Sequence, residues 1–277
     1  MSMSESGNET IAGAAGQLFV RAWRPATAPR AVVAICHGFN AHSGLYAWSG
    51  TQFAQAGLAA YALDLRGRGR SEGERFYVES FEDYVDDLHR LILHARASEP
   101  GLPVMLLGHS AGGVISCLYA LDHPGDLAGL VCEDFAFQVP APDAALAILK
   151  GISHFVPHAH ALKLKNEDFS RDPAVVKALN EDPLIAGESQ PFATMAALVR
   201  ADQRLATSFA QLTLPLFILH GAADKAARPD GSRRFHEQAG SSDKTLRIYE
   251  ERFHDPLNDL GKEEVMADIV GWIGQRL

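Results

Sequence analysis

The sequence predicts an α/β fold, with a mostly parallel central sheet, helices on both of its faces and a helical segment inserted between two strands. Short, continuously apolar runs typical of strands buried on both faces alternate with stretches of helical periodicity. This alternation stops near residue 136 and resumes near residue 211, with helical patterns and no convincing strand in between. The predicted core therefore comprises residues 1–135 and 211–277, and residues 136–210 form a predicted helical cap.

The individual elements follow from hydrophobic pattern and its punctuation. Residues 1–10 are polar and predict a loose tail, whereas alternation over 17–23 predicts a half-buried strand. Further strands are predicted over 31–36, 58–63, 102–107, 127–132, 214–219 and 245–249. Helices are predicted over 45–56, 80–97, 113–120, 232–239 and 262–276. Gly57 caps the first helix, and Ser80 with Asp83 forms an approximate capping box at the second.

The composition describes a globular chain without a nucleic-acid partner. The 277 residues are 47% hydrophobic and 21% charged, as in ordinary globular proteins. The net charge is −9 and no Lys/Arg cluster suggests a phosphate-binding face. All three cysteines lie inside apolar runs, which favours buried thiols in a reducing compartment. With no stretch of membrane-span length and no basic, apolar leader, the predicted location is cytoplasmic.

The most informative motif is Gly-His-Ser-Ala-Gly at 108–112, between the strand at 102–107 and the helix after it. A G-x-S-x-G in that position is typical of a nucleophile elbow, in which glycines relieve the crowding of a sharp turn. The elbow raises the Ser110 hydroxyl above the sheet and directs the helix N-terminus at it. The alternative is a glycine-rich turn that carries a solvated serine.

A serine hydroxyl is a weak nucleophile that needs an adjacent base. His254, in a loop after the last strand, is the predicted base. Asp224, just past the strand at 214–219, is predicted to orient the imidazole and stabilise the imidazolium. The alternatives are a solvated histidine and a turn aspartate, and Asp255 is the nearest rival orienter, although an adjacent residue is poorly placed to reach the ring.

An acyl-transfer site also needs two backbone N–H donors for the developing oxyanion. One is predicted from Ala111, the residue after the nucleophile, and the other from Phe39, in the loop after His37-Gly38. The alternative for His37-Gly38 is a plain turn at the end of a strand.

Several motifs along the chain resemble one branch of a known superfamily. They are His37-Gly38-Phe39-Asn40-Ala41-His42-Ser43-Gly44-Leu45-Tyr46, Asp64-Leu65-Arg66-Gly67-Arg68-Gly69-Arg70-Ser71-Glu72-Gly73, the elbow, the Leu-His-Gly-x-x-Asp segment that ends at Asp224, the His254 loop, Ser170-Arg171-Asp172-Pro173 and Asp182-Pro183-Leu184. Together they resemble the monoacylglycerol lipase and lysophospholipase branch of the α/β hydrolases, from about residue 17 onward. The resemblance implies an α/β-hydrolase fold whose cap follows the sixth strand. It also implies a serine esterase for carboxylic esters, often of glycerol or lipids, without a metal or cofactor.

Three places depart from the pattern of that branch. Asn40-Ala41 stands where the branch usually has Gly-Glu, and Arg68 stands where it usually has His. Glu133 and Asp134 follow the strand at 127–132, where small residues are usual. Glu133 is therefore a predicted substrate-binding residue that repels anions and accepts a cationic or hydroxyl-rich group. The alternative is that both carboxylates bind backbone amides.

An apolar stripe at helical spacing marks the cap, and it comprises Ala145, Ile148, Leu149, Ile152 and Phe155. Ile148 and Ile152 are predicted to bind substrate in an acyl tunnel, and the stripe is predicted to touch membrane surfaces transiently. The alternative is that the stripe packs the cap onto the core. His154, His158 and His160 have no carboxylate or cysteine at a persuasive spacing, so no metal site is predicted.

The sequence thus predicts a serine hydrolase that cleaves carboxylic esters through an acyl-enzyme, first of all those of monoacylglycerols or similar single-chain lipids. The first alternative is a carboxylesterase for small soluble esters or lactones. An alternative of another class is a ligand-binding receptor on a hydrolase scaffold. The oligomeric state is not predicted.

Overall fold

A computed structural model describes residues 5–137 and 151–277. Its strands are β1 (Glu5–Gly13), β2 (Gly16–Arg24), β3 (Ala31–Cys36), β4 (Leu58–Leu63), β5 (Val104–His109), β6 (Gly129–Glu133), β7 (His160–Leu162), β8 (Gln190–Pro191), β9 (Leu216–Gly221) and β10 (Lys244–Tyr249). Its α-helices are α1 (Ala47–Gln55), α2 (Phe81–Ser98), α3 (Ala111–Asp122), α4 (Pro173–Glu181), α5 (Phe192–Ala206), α6 (Pro229–Gln238) and α7 (Lys262–Gly274). Short 3-10 helices cover Ser43–Tyr46, Asn166–Asp168, Phe209–Gln211 and Pro256–Asn258.

Eight of the strands form one sheet in the order β1-β2-β4-β3-β5-β6-β9-β10. All neighbours from β4 to β10 pair in parallel, whereas β1 and β2 form an antiparallel edge. Strands β3, β4, β5, β6 and β9 are buried along their whole length, because apolar clusters cover the sheet on both faces. This is the predicted α/β-hydrolase architecture, with helices on both faces and the insertion after the sixth strand.

The prediction of a loose tail over residues 1–10 is wrong for its described part. Strand β1 pairs with β2 along its whole length, from Glu5 opposite Arg24 to Gly13 opposite Gly16. Most of its described side chains are exposed or half-buried, since the strand lies at the sheet edge. Asn8 and Glu9 make polar contacts and Ile11 packs on the core, but residues 5–10 carry no apolar alternation that could be detected.

The expectation that no strand lies within residues 136–210, which we call the cap segment, is also wrong. Strands β7 and β8 form a small antiparallel sheet there. They have three and two residues, so neither is long enough for a recognisable alternation. Among the described residues, no helix of the cap segment or elsewhere combines the length and apolarity required to cross a bilayer.

Candidate active site

The elbow places Ser110 between β5 and α3 with φ 55° and ψ −121°, a backbone conformation that a non-glycine residue rarely adopts. Three backbone hydrogen bonds hold it there, from the Ser110 N–H to the Glu133 carbonyl (2.9 Å) and from the N–H groups of Gly113 (2.9 Å) and Ala136 (3.2 Å) to the Ser110 carbonyl. A Cβ on Gly108 would lie 2.6 Å from the carbonyl oxygen of Gly112, so crowding at this turn requires glycine. Strain at one residue that its neighbours hold in place is typical of a reactive site.

The structure brings Ser110, His254 and Asp224 together in one line. His254 Nε2 lies 2.7 Å from Ser110 Oγ, and His254 Nδ1 lies 2.7 Å from Asp224 Oδ2. With Nδ1–H donating to the carboxylate, Nε2 is free to accept the serine proton. The His254 side chain is 1% exposed, so these bonds lie in a site largely shielded from water.

Asp224 is held as an anion by the groups around it. Burial opposes its charge, but the nearby His254 and His220 outweigh that effect and hold the pKa of the carboxyl far below its usual range. Its Oδ1 accepts the backbone N–H groups of Ala226 (2.7 Å) and Ala227 (3.0 Å). His220 Nε2 lies 3.0 Å from Oδ2, a contact that the sequence analysis missed although His220 stands within the quoted Leu-His-Gly motif.

Asp255, the rival orienter, points elsewhere. Its two carboxylate oxygens accept hydrogen bonds from the Asn258 side chain at 3.1 and 3.0 Å. Its backbone N–H donates to the Phe169 carbonyl (2.9 Å). The geometry therefore favours Asp224 as the partner of the His254 ring.

The loop after β3 packs directly against the elbow. A Cβ on Gly38 would lie 2.8 Å from Ser110 Cβ and 3.3 Å from the Ala111 nitrogen, so only a glycine permits this approach. Ala111 is the first residue of α3, and its N–H therefore has no acceptor within the helix. Phe39, the next residue of the loop, is 5% exposed. Both predicted oxyanion donors thus belong to segments that flank Ser110.

Glu133 and Asp134 require a correction, because both side chains are fully buried. Glu133 Oε1 accepts the Leu257 N–H (2.9 Å) and Asp134 Oδ1 accepts the Gly221 N–H (3.0 Å). Burial raises the pKa of both carboxyls well above their usual values, and neighbouring carboxylates add to the effect. The expected contact of Glu133 with substrate is not supported, whereas the alternative of carboxyls bound to backbone amides matches these contacts.

Two aromatic rings that the sequence analysis did not single out pack on His254. Phe169, from the cap segment, meets the imidazole edge to face with ring centroids 5.0 Å apart. His109 lies on another side at 5.1 Å, and its Nε2 is 2.8 Å from the His254 carbonyl. Burial lowers the pKa of His109, so the neutral ring donates this bond from Nε2. The rotation of the His254 ring is therefore restricted from the core and from the cap segment.

The two motifs quoted from the cap segment both bond the core. In Ser170-Arg171-Asp172-Pro173, Arg171 Nε donates to Asp259 Oδ2 (2.8 Å), and the Phe253 N–H donates to the same oxygen (3.1 Å). In Asp182-Pro183-Leu184, Asp182 Oδ2 accepts from His42 Nε2 (2.8 Å). One motif is therefore bound to the loop of His254 and the other to the loop of Phe39.

The structure describes one of the two predicted substrate-binding residues of the cap. Ile148 lies outside the described residues. Ile152 is described and is 37% exposed, next to Phe155 at 88% and Val156 at 46%. This end of the apolar stripe faces outward and does not pack onto the core.

Two groups of described residues bring three metal-ligating atoms within 4.8 Å of one another, namely Asp134 with Asp224 and His254, and His89 with His123 and Asp126. In the first group, Asp224 and His254 already bond each other. In the second, the rings of His89 and His123 stack at 4.3 Å with an interplanar angle of 9°. Their in-plane lone pairs therefore do not converge, and Asp126 accepts hydrogen bonds from Tyr119 and Arg96. Neither group suits a metal ion in this arrangement.

Comparison with known proteins identifies close relatives. Residues 27–261 match the model of the family described as serine aminopeptidase, S33. The chain is 33% identical over 282 residues to the monoacylglycerol lipase of Mycolicibacterium smegmatis, covering all of both proteins. It is also 33% identical to human monoglyceride lipase, over 96% of this chain and 90% of the relative. The crystal structure of Paleococcus ferrophilus monoacylglycerol lipase superposes with a TM-score of 0.84 at 28% identity, over 94% of this chain and 99% of the other.

Proposed function

Because the chain belongs to the family described as serine aminopeptidase, S33, within the α/β hydrolases, we propose that it hydrolyses monoacylglycerols and similar single-chain lipid esters through Ser110. The chain is a carboxylic ester hydrolase, as its relatives are. The observation that carries the proposal is the continuous contact from Ser110 Oγ through the His254 ring to Asp224, at an elbow against which Gly38 packs.

The first half of the proposed reaction forms an acyl-enzyme. Ser110 Oγ attacks the ester carbonyl carbon while His254 Nε2 takes the hydroxyl proton, and Asp224 stabilises the resulting imidazolium. The carbonyl oxygen becomes an oxyanion that accepts hydrogen bonds from the N–H groups of Phe39 and Ala111. The tetrahedral intermediate then expels the alcohol, which takes the proton from Nε2.

The second half returns the enzyme to its starting state. A water molecule gives its proton to Nε2 and attacks the carbonyl of the ester bound to Ser110. The same two N–H groups receive the second oxyanion, and its collapse breaks the bond to Ser110 Oγ, which regains the proton from His254. The products are a carboxylic acid and an alcohol, and no metal or cofactor takes part in the proposed steps.

Two features support a lipid substrate and the proposed cap over residues 136–210. The relatives at 33% identity are named monoacylglycerol or monoglyceride lipases. Ile152, Phe155 and Val156 form an exposed apolar patch in the segment whose Phe169 packs on His254. We propose that this patch contacts the surface of lipid aggregates transiently. The predicted cytoplasmic location stays part of the proposal, and the three cysteines are all free and buried.

The test compares the wild type with Ser110→Ala on p-nitrophenyl esters from acetate to palmitate and on monoacylglycerols of the same acids. Ser116→Ala is the matched control, since Ser116 lies on α3 and is buried without contacting His254. We expect Ser110→Ala to lower turnover by about 10⁴-fold or more with an unchanged melting temperature, and Ser116→Ala to keep most of the activity.

The dependence of turnover on chain length separates the alternatives. A maximum at medium or long chains supports the lipid-ester proposal. A maximum at acetate or butyrate would favour the carboxylesterase for small esters instead. Wild-type turnover that Ser110→Ala does not reduce would overturn the assignment of the nucleophile. Retention of an added ester without turnover would favour the ligand-binding alternative.

A further inference from the structure

Arg68 is a charged side chain with no exposed surface, and the proposed mechanism does not use it. It forms an ion pair with Glu188 of the cap segment, which is itself 1% exposed at the side chain. Its other donors are used as well, from Nη2 to Gln190 Oε1 (2.8 Å) and from Nε to the Tyr84 hydroxyl (3.1 Å). Burial opposes the charge, but Glu188 outweighs it and raises the pKa of Arg68. A buried ion pair seldom stabilises a protein more than apolar residues of similar volume would, so stability alone does not explain the pairing of Arg68 with Glu188.

The carboxylate of Glu188 extends this pair to the loop of Phe39. Its Oε1 accepts the backbone N–H of Asn40 at 2.9 Å. Asn40 has φ 51°, in the left-handed region that non-glycine residues seldom adopt and that asparagine tolerates better than most of them. A second bond from the cap segment reaches the same residue, because Asn40 Nδ2 donates to Asn166 Oδ1 at 2.9 Å.

Arg68 also contacts the aromatic ring of Phe39, the residue that precedes Asn40 in the loop. The guanidinium carbon lies 4.6 Å from the centroid of the Phe39 ring, within the range of a cation–π contact. The Phe81 ring also packs on Phe39, nearly perpendicular to it, with ring centroids 6.5 Å apart. The Phe39 side chain and the Asn40 N–H are thus both bound to the same buried ion pair.

Two departures from the pattern of the branch meet at this point. Asn40 stands where glycine is usual and Arg68 where histidine is usual, and the two contact one carboxylate oxygen. The positions are distant in sequence from Glu188, by 148 residues for Asn40 and 120 for Arg68. This chain therefore supports its left-handed Asn40 with a pair that joins the core to the cap segment.

We propose that Arg68 and Glu188 are positioning residues for the oxyanion hole, through which the cap segment fixes the direction of the Phe39 N–H. The inference rests on the proposed function, since it assigns that N–H to the oxyanion. It follows that loss of the pair weakens transition-state stabilisation and leaves the ground-state complex largely unchanged. Loss of one oxyanion donor typically costs about 10²–10³-fold in kcat, and a misdirected donor should cost about 10–100-fold.

The decisive variant is the double substitution Arg68→Met with Glu188→Leu. It removes both charges at once, so the core keeps its apolar packing and no buried charge is left without a partner. It also removes the acceptor for the Asn40 N–H and the cation over Phe39. The buried Gln190 amide and the Asn40 N–H lose their partners, so we expect a lower melting temperature. In the folded fraction we expect kcat to be lower by about 10–100-fold and KM to change by less than about threefold.

The single variant Glu188→Gln serves as the conservative rescue. Its amide oxygen can still accept the Asn40 N–H, although the charge opposite Arg68 is lost. We expect it to recover most of kcat relative to Glu188→Ala, in which no acceptor remains. Equal kcat in the two variants would contradict a role through Asn40.

A second buried ion pair provides the matched control. Arg66 Nε donates to Asp87 Oδ2 at 2.9 Å, Asp87 has no exposed surface, and neither residue bonds the loop of Phe39 within the described residues. Asp87→Asn should lower the melting temperature while the folded fraction keeps the wild-type kcat. If Asp87→Asn lowered kcat as much as the double variant, the effect would be one of general stability and the inference would be overturned.

The inhibition constant of a trifluoromethyl ketone gives a readout that does not depend on the stability of the variant. Its adduct with Ser110 carries an oxyanion, so its Ki should rise in the double variant by the same factor by which kcat/KM falls. Wild-type kcat and Ki in the double variant would overturn the inference while the proposed function stood. Absence of any Ser110-dependent turnover in the wild type would instead reject the proposed function.

Discussion

Different kinds of contact hold the cap segment and the catalytic edge of the sheet, by which we mean the carboxyl ends of the strands that precede Ser110, Asp224 and His254. At this catalytic edge, Ser110 follows β5, Asp224 follows β9 and His254 lies in the loop after β10. Backbone hydrogen bonds, such as that from the Ser110 N–H to the Glu133 carbonyl, fix their positions. In its described residues the cap segment has a small apolar cluster of its own, formed by Phe169, Leu179 and Ile185, while α5 joins the main core.

Individual polar contacts attach the cap segment beyond α5. Among the described residues they include Arg171 to Asp259, Asp182 to His42 and Glu188 to Arg68 with Asn40. The first two end on the loops of His254 and Phe39, and Glu188 bonds both Asn40 in the loop of Phe39 and Arg68 in the loop after β4. On the proposals above, the sheet decides which atoms meet, and we expect the cap segment to adjust the orientation of His254 and of the Phe39 N–H. Variants of the two regions should therefore differ in the size and kind of their effects.

The largest effect is expected at the sheet edge. Asp224→Asn removes the charge that stabilises the imidazolium and favours the wrong tautomer of His254, so kcat should fall by about 10³–10⁴-fold. Asp255→Asn is the control, because that carboxylate bonds Asn258 and not the ring. Steady-state kinetics on one ester checks both. Should Asp255→Asn be the more damaging change, the contact between His254 and Asp224 would not be the functional one.

A smaller and more selective effect is expected in the cap segment. Phe155→Ser removes the most exposed apolar side chain of the patch, so hydrolysis of a long-chain monoacylglycerol in vesicles should fall by about threefold to tenfold. Hydrolysis of soluble p-nitrophenyl butyrate should not change. Leu93→Ser is matched to it, since Leu93 is 49% exposed on α2. Equal losses in both variants, or on both substrates, would argue against a lipid-contacting patch.

The smallest expected effect is on the pH dependence of folding stability, through the buried Glu133. Burial and the nearby Asp255 raise the pKa of Glu133, so the folded protein retains a proton that the unfolded chain releases above about pH 4. Stability of the wild type should therefore fall as pH rises, and Glu133→Gln should escape this loss. The melting temperature of the variant should exceed that of the wild type by about 2–4 °C at about pH 8 and match it at about pH 4.

The exposed Glu263 on α7 provides the control, since Glu263→Gln should change the melting temperature little at any pH. A difference between Glu133→Gln and the wild type that stayed constant across the pH range would show that Glu133 is ionised in the folded protein.

The sequence predicted most of the sheet and the residues gathered at its edge. Strands such as β3, β4 and β5 are buried on both faces, which forces a continuous apolar run that can be recognised locally. Gly108 is also a local requirement, because a Cβ there would meet Gly112 and Ser116 of the adjacent helix α3, whereas a Cβ on Gly112 would meet the carbonyls of Cys36 and His37 at the end of β3. Ser110, Asp224 and His254 were identified for the same reason, since each follows a strand in a recognisable motif.

The pattern of apolar and polar residues was uninformative where contacts outside the local segment decide the structure. Strand β1 pairs with β2 and contacts α2 through Glu9 and His94, whereas its residues 5–10 carry no apolar alternation. Glu133 was expected to face substrate, because its position after a strand is typical of a site residue. Its burial and its bond to Leu257, 124 residues away, depend on how the loop after His254 packs.

By itself, then, the sequence determined the fold class, the elbow and the three residues that meet at the sheet edge, because strand burial and sharp turns impose rules on adjacent residues. Only the tertiary structure decided the pairing of Arg68 with Glu188, the contact of Phe169 with His254 and the burial of Glu133. A buried charge or ring must find its partner wherever packing brings one, and the choice among distant partners leaves no local pattern in the chain.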